Sequence, residues 1–159
     1  TKTYGLNTIG TQVWFIMFNI HLQVNIGILN SLNNSYITNF LYRNMGVTLG
    51  KNVYISPSSL IHEGDGLNIN DNVRLEAEST LFCHTFLTGS LTMAPIVVEE
   101  NVVIGKKSYL SPGTIISSGV TVFPLSNILN GTLFKQNTKY KGNPALPITN
   151  TLNKSSFKV

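Results

Sequence analysis

Cys83 and His84 stand side by side in "LFCHTFLTGSLTMAP", residues 81–95, where a regular apolar rhythm gives way to an irregular stretch. An imidazole titrates near neutrality, so it can move a proton or hold a metal ion, and a thiolate is a nucleophile. Adjacent residues on an extended strand point to opposite faces, so His84 is poorly placed to activate Cys83. Cys83 is the single cysteine, which excludes an intramolecular disulfide and a Cys-rich zinc site, and suits a reducing, cytoplasmic setting. A second group with chemical potential is cationic. Lys135, Lys139, Lys141, Lys154 and Lys158 gather in the C-terminal quarter, either as a solvated tail or as a seat for the phosphates of a cofactor.

The elements that position these groups follow from a period of six. Aliphatic residues fall at Leu49, Ile55 and Ile61, then after a slip of two at Ile69, Leu75 and Leu81, and after a longer break at Val98, Ile104, Leu110, Ile116, Val122 and Ile128. Four places after each, the residue is mostly small or β-branched: Val53, Ser59, Val73, Ser79, Thr85, Val102, Ser108, Thr114, Val120 and Ser126, with Asp65 the exception at the slip. Neither a helix nor a lone strand keeps this rhythm. A coil of short parallel strands does: each hexad supplies one strand and one tight corner, three hexads make a triangular turn, and the aliphatic side chains stack in a central column. Successive coils then lie ~4.8 Å apart.

Phase also ranks the histidines. Counting from Leu81 and Leu110 places His84 beside Gly113, and allowing for the slip its neighbour on the other side is near Gly64. A histidine flanked by glycines has room to meet a ligand, and the break from Phe86 to Pro95 leaves the coil just after it. The alternative is a histidine with no catalytic role on a coil kept as scaffold. A metal site is not expected, because His21 precedes the coil and His62 sits at another phase than His84.

Composition sets the outer bounds. The chain has 159 residues, enough for one core. It is 42% hydrophobic and 11% charged, with mean hydropathy +0.13, which does not fit a disordered chain. Eleven Lys and Arg against seven Asp and Glu give +4, too little and too scattered for a nucleic-acid surface. The Asn-rich character carries no functional weight here. Because the chain opens on Thr1, it is expected to be a segment of something longer. Residues 13–29, "VWFIMFNIHLQVNIGIL", form the most hydrophobic run, interrupted by Asn19, His21, Gln23 and Asn25; a buried or interfacial helix is expected, with membrane association as the alternative.

The segments "VTLGKNVYI", "LNINDNVRL", "PIVVEENVVIGKKSYLSPGTIISSGVTV" and "YKGNPA" resemble the hexapeptide-repeat acyltransferases. Within that superfamily, "YRNMGVTLGKNVYI" and "VFPLSNILNGTLF" look most like the C-terminal β-helix segments of nonribosomal-peptide-synthetase-like proteins of the polylysine-synthetase type. The resemblance spans residues 47–145. It implies an all-β fold, a single-stranded left-handed parallel β-helix of about four coils. Residues 1–46 form a helical or irregular lead-in capping the first coil, 47–132 the β-helix with a protruding loop at 86–95, and 133–159 a C-terminal extension. The Gly that often follows the aliphatic residue in the family is kept only at Gly50 and Gly105; Asn70, Glu99 and Ser117 stand elsewhere.

The resemblance further implies an acyltransferase using acetyl-coenzyme A or another acyl-pantetheine thioester, without a metal, and acting on a small-molecule or carrier-bound substrate. His84 stands where the family keeps its general base, and backbone N–H groups near Gly113 are placed to hold the oxyanion. Glu76 and Glu78 are candidates to orient the imidazole, or else belong to a solvated strand face. "KYKGNPALPI" matches the segment that in the family lies near coenzyme A, making Lys139, Lys141, Gly142, Asn143 and Pro144, with Lys106 and Lys107 as weaker candidates, the expected donor contacts. The same stretch also reads as a simple Gly and Pro turn ending a solenoid. Many relatives are trimers. The second reading is a non-catalytic β-helix that scaffolds or trimerises a larger synthetase-like protein.

Overall fold

The computed structural model describes residues 2–5 (backbone only), 10, 12–13, 27, 34–62, 66–87 and 89–148. His21, Gly64, Asp65, Lys154, Lys158 and most of the 13–29 run lie outside the described residues. Among those described, no helix is long and apolar enough to cross a membrane.

Twelve short strands carry the period-six rhythm and stack into three parallel faces. β2 (Thr48–Leu49), β5 (Leu67–Ile69), β10 (Ile96–Val98) and β13 (Ile115–Ile116) form one face. β3 (Tyr54–Ile55), β6 (Arg74–Leu75), β11 (Val103–Ile104) and β14 (Thr121–Val122) form the second, and β4 (Leu60–Ile61), β7 (Thr80–Leu81), β12 (Tyr109–Leu110) and β15 (Asn127–Ile128) the third. The chain visits the three faces in turn and then pairs with its own previous pass, as the hexads require. Register confirms the stacking: Ile55 pairs with Leu75 and Leu75 with Ile104, while Leu81 lies between Ile61 and Leu110.

The aliphatic column is the core. From Ile55 to Ile128 each of its members is at most 1% exposed, and Leu49, at the open end, packs against the same cluster. Full burial of one such side chain is worth about 1.5–3 kcal/mol, so stacking dominates the stability of the coil. The small residues four places on are buried as well. Ser59, Ser79, Ser108 and Ser126 line one corner, where the hydroxyls of Ser59 and Ser108 donate to the carbonyls of Glu76 (3.0 Å) and Phe123 (3.1 Å). Thr85 does not join them: it is exposed on an excursion from the coil.

Another corner gives the asparagines a purpose that composition did not reveal. Asn52, Asn72, Asn101 and Asn137 each have φ between 54° and 59°, a left-handed conformation that Asn tolerates through its short polar side chain. Gly119 takes the same place with φ 72°. The amides ladder up the corner, Asn52 Nδ2 donating to Asn72 Oδ1 at 3.2 Å and Asn72 Nδ2 to Asn101 Oδ1 at 3.3 Å.

Both ends of the coil are closed. α1 (Ser35–Asn44), N-capped by the Asn34 side chain, buries Tyr42 in the core. Asn39 donates to the Val53 carbonyl at 2.7 Å and Arg43 to the carbonyls of Leu49 and Gly50, so the helix covers the edge of the first coil. At the other end the aliphatic rhythm stops at Ile128, but the inward rhythm does not: Phe134 and Tyr140 follow at the same interval and stack with ring centroids 4.6 Å apart. Tyr140 belongs to β16 (Lys139–Lys141), which adds in parallel to β14, and β17 (Leu146–Pro147) then turns back antiparallel. An aliphatic-only count misses these residues because aromatic rings fill the last turn.

Gly105 tests the closeness of the coils, since a Cβ there would meet Pro124 N at 2.5 Å. Gly105→Ala is expected to destabilise by about 1–3 kcal/mol and Ile104→Ala by about 2–5 kcal/mol, both read from urea midpoints.

Candidate functional site

Leu81 and Leu110 pair across adjacent coils although 29 residues separate them, whereas Leu110 and Ile128 pair across 18. The extra chain leaves the coil as a hairpin, β8 (His84–Leu87) and β9 (Ser90–Met93), with His84 opposite Met93 and Ala94 N–H donating to the Cys83 carbonyl at 2.8 Å across its base. The protruding loop expected at 86–95 is therefore an ordered hairpin that starts at His84. β1 (Lys2–Gly5) adds to its outer edge, pairing antiparallel with β9, a contact the sequence did not signal.

This changes the neighbours of His84. The phase count assumed that the coil continued through His84; instead the coil resumes at Ala94, and a Cβ on Gly113 would meet Asn130 Oδ1 at 2.9 Å and Ala94 Cβ at 3.5 Å. Gly113 thus lies beside the base of the hairpin, with Ala94 in the place assigned to His84. Cys83 points inward, 1% exposed, with its sulfur against Gly66, while His84 is half-buried on the outer side, so the pair is divided between faces as strand alternation requires.

Side chains gathered around His84 are aromatic and imidazole. Its ring lies edge-on to Phe82 at 5.6 Å and to His62 at 6.1 Å between centroids; Phe82 contacts His62 at 4.0 Å and Tyr109 at 5.6 Å. The phase count had set His62 apart, yet the register that puts Ile61 against Leu81 also puts His62 against Phe82, two residues from His84. That signal was present in the sequence. Glu76 and Glu78, the candidates for orienting His84, are engaged elsewhere: Glu76 pairs with Arg74, and Glu78 with Lys107 at 3.4 Å. No group of three or more potential metal ligands gathers among the described residues.

The donor candidates divide between two faces: Lys139 and Lys141 lie on β16 beside β14 on the second face, and the turn that follows them reaches β15 on the third. Lys139 and Lys141 project outward on either side of buried Tyr140, and Gly142, Asn143 and Pro144 form an exposed turn. That turn is fastened to β15: Asn127 N–H donates to the Gly142 carbonyl at 2.9 Å and Asn127 Nδ2 to Asn143 Oδ1 at 2.9 Å. Asn127 pairs with Tyr109 and Tyr109 with Thr80, so the row from Asn143 to the aromatic cluster crosses only neighbouring strands, ~4.8 Å per step. Lys106 lies exposed on the corner before β12. Two buried polar atoms on this row, Asn127 Oδ1 and His62 Nδ1, have no hydrogen-bond partner among the described residues.

Burial, reinforced by the positive charge His84 carries when protonated, pushes His62 down from 6.5 to about 4. The unfolded chain therefore binds a proton at His62 before the folded chain does. Stability from this group is complete above about pH 6.5 and is lost as pH falls toward 4. Urea midpoints are expected to drop between pH 7 and pH 4.5, and His62→Phe should flatten that slope.

No protein-family model matches the sequence. Over 119 residues the chain is 26% identical to delta-poly-L-ornithine synthetase of Acinetobacter baumannii, a match covering 75% of this chain and 9% of that protein. Among solved structures, a maltose O-acetyltransferase from Clostridium difficile superposes with TM-score 0.64 at 18% identity, covering 92% of this chain and 91% of the other. A galactoside acetyltransferase in complex with coenzyme A gives TM-score 0.64 at 17% identity, covering 93% and 86%. A hexapeptide-repeat-containing acetyltransferase from Vibrio cholerae gives 0.62 at 17%, covering 81% and 90%. The period-six column, the parallel faces and these superpositions agree: the chain has the fold of the hexapeptide-repeat acetyltransferases.

Proposed function

We propose that the chain transfers an acyl group, acetyl in the first instance, from a pantetheine thioester to a hydroxyl or amine. The observation that carries this reading is the row on the third face that joins His84, at the base of the hairpin, through Phe82, Tyr109 and Asn127 to the Gly142–Pro144 turn, with Lys139 and Lys141 on the adjoining second face. The coil is read as left-handed with about four turns. Residues 47–132 form the β-helix proper, 1–46 its lead-in, and 133–159 an extension whose β16 still adds to the sheet.

In this reading His84 accepts the proton of the acceptor hydroxyl or amine as its lone pair attacks the thioester carbonyl. The carbonyl π electrons move to oxygen, and the backbone N–H of Gly113 or of its neighbours stabilises the oxyanion. Collapse breaks the C–S bond, and the leaving thiolate takes the proton from the imidazolium. The acceptor gains the acyl group and the thiol is released. Lys139 and Lys141, with Lys106 more distant, offer charge to the donor's phosphates, and Asn127 Oδ1 offers an acceptor to a donor amide. The donor is free coenzyme A or a carrier-bound pantetheine. The two share their reactive end, and the chain spans only 9% of its synthetase relative, so domains outside that span would decide between them. A trimer, with exposed Ile115 and Leu133 at subunit contacts, is part of the same proposal and is read by light scattering.

Thioester consumption with acetyl-coenzyme A tests the base: His84→Ala should lower kcat by about 10²- to 10⁴-fold, and unchanged turnover would remove His84 from the mechanism. Replacing Lys139 and Lys141 together by Ala should raise KM for acetyl-coenzyme A about tenfold with kcat little changed. Absence of binding heat with millimolar coenzyme A would favour the non-catalytic scaffold.

A further inference from the structure

His62 is a titratable member of the aromatic cluster for which the proposed reaction has no use, and it is costly to keep there. Its side chain lies in a residue 8% exposed, and its Nδ1 is buried with no hydrogen-bond partner among the described residues. Leaving a buried polar atom unpaired costs about 1–3 kcal/mol. The position does not require a polar ring: on the next coil the aligned place holds Phe82, which packs against His62 at 4.0 Å. A nitrogen retained where carbon fits, beside the ring that moves the proton, points to a ligand as its missing partner.

We propose that His62 contacts the acyl acceptor, its Nδ1 hydrogen-bonding a hydroxyl adjacent to the group that His84 deprotonates; this rests on the acyl-transfer reading. A neutral imidazole presents one N–H and one lone pair, and a hydroxyl can answer either, whereas an ammonium only donates. Burial keeps His62 uncharged at neutral pH, so it adds no repulsion when the neighbouring imidazole takes up its proton. It packs edge-on against His84 with ring centroids 6.1 Å apart, a separation that one small polyol can span.

The test uses the full chain with acetyl-coenzyme A as donor and glycerol, glucose and maltose as probe acceptors. His62→Phe should raise the acceptor KM about tenfold or more, His62→Gln should restore part of it, and KM for acetyl-coenzyme A and the slow thioester hydrolysis should stay within about twofold. An unchanged acceptor KM, or an equal rise in both KM values, overturns the proposal. A second measurement needs no turnover: the imidazole ¹⁵N resonances of His62, followed while the same polyols are added. A shift specific to His62 supports the contact, and no shift at molar polyol overturns it. No acetyl transfer by the full chain to any of these acceptors, alongside a polyol shift at His62, would sink the acyl-transfer reading and leave the contact standing.

Discussion

Stacking one aliphatic side chain directly over another along the coil axis is the constraint on which everything else in this fold depends. Each pass of the chain must return an apolar residue to the same place, so Leu75 sits between Ile55 and Ile104, and Leu110 between Leu81 and Ile128. Among the described residues the core is this column, onto which all three faces and α1 pack. A chain segment that does not fit the column has to be expelled whole, and the hairpin that begins at His84 is such a segment. The same rule that builds the scaffold therefore decides where a functional group can leave it.

Corners are the second consequence. At one corner the tight turn is made by left-handed residues, Asn52, Asn72, Asn101 and Asn137, and the amides of Asn52, Asn72 and Asn101 pair along the edge. Serine hydroxyls meet a related need inside, taking up corner carbonyls that would otherwise be buried unpaired. The low charge of the sequence then has a physical reason. Its polar residues are used to satisfy backbone groups at corners rather than to solvate a broad surface.

At the site, geometry assembles what sequence distance hides. His62 and His84 come together because one coil separates Ile61 from Leu81, and the C-terminal turn reaches the same face because Asn127 binds both Gly142 and Asn143. Phe82 and Tyr109 form the wall between them. Tyr109, Asn127 and His84 lie on strands, His62 and Phe82 directly follow β4 and β7, and β1 pairs along the outer edge of the hairpin beside them.

The fold was legible from the period of six because a column of buried aliphatic residues leaves an unambiguous trace, and the opposite orientations of Cys83 and His84 followed from strand alternation alone. The register across the break was not legible. Sequence counting cannot tell at which residue an inserted segment leaves a coil, since hydrogen bonds such as Ala94 N–H to the Cys83 carbonyl close it, and these depend on both ends of the insertion at once. Hence Ala94 stands beside Gly113 in place of His84, and Phe134 and Tyr140 extend a column that seemed to end at Ile128. Local apolar spacing determined the architecture of this protein; its tertiary structure decided the neighbours of each reactive side chain, because those are set by pairing between coils rather than by distance along the chain.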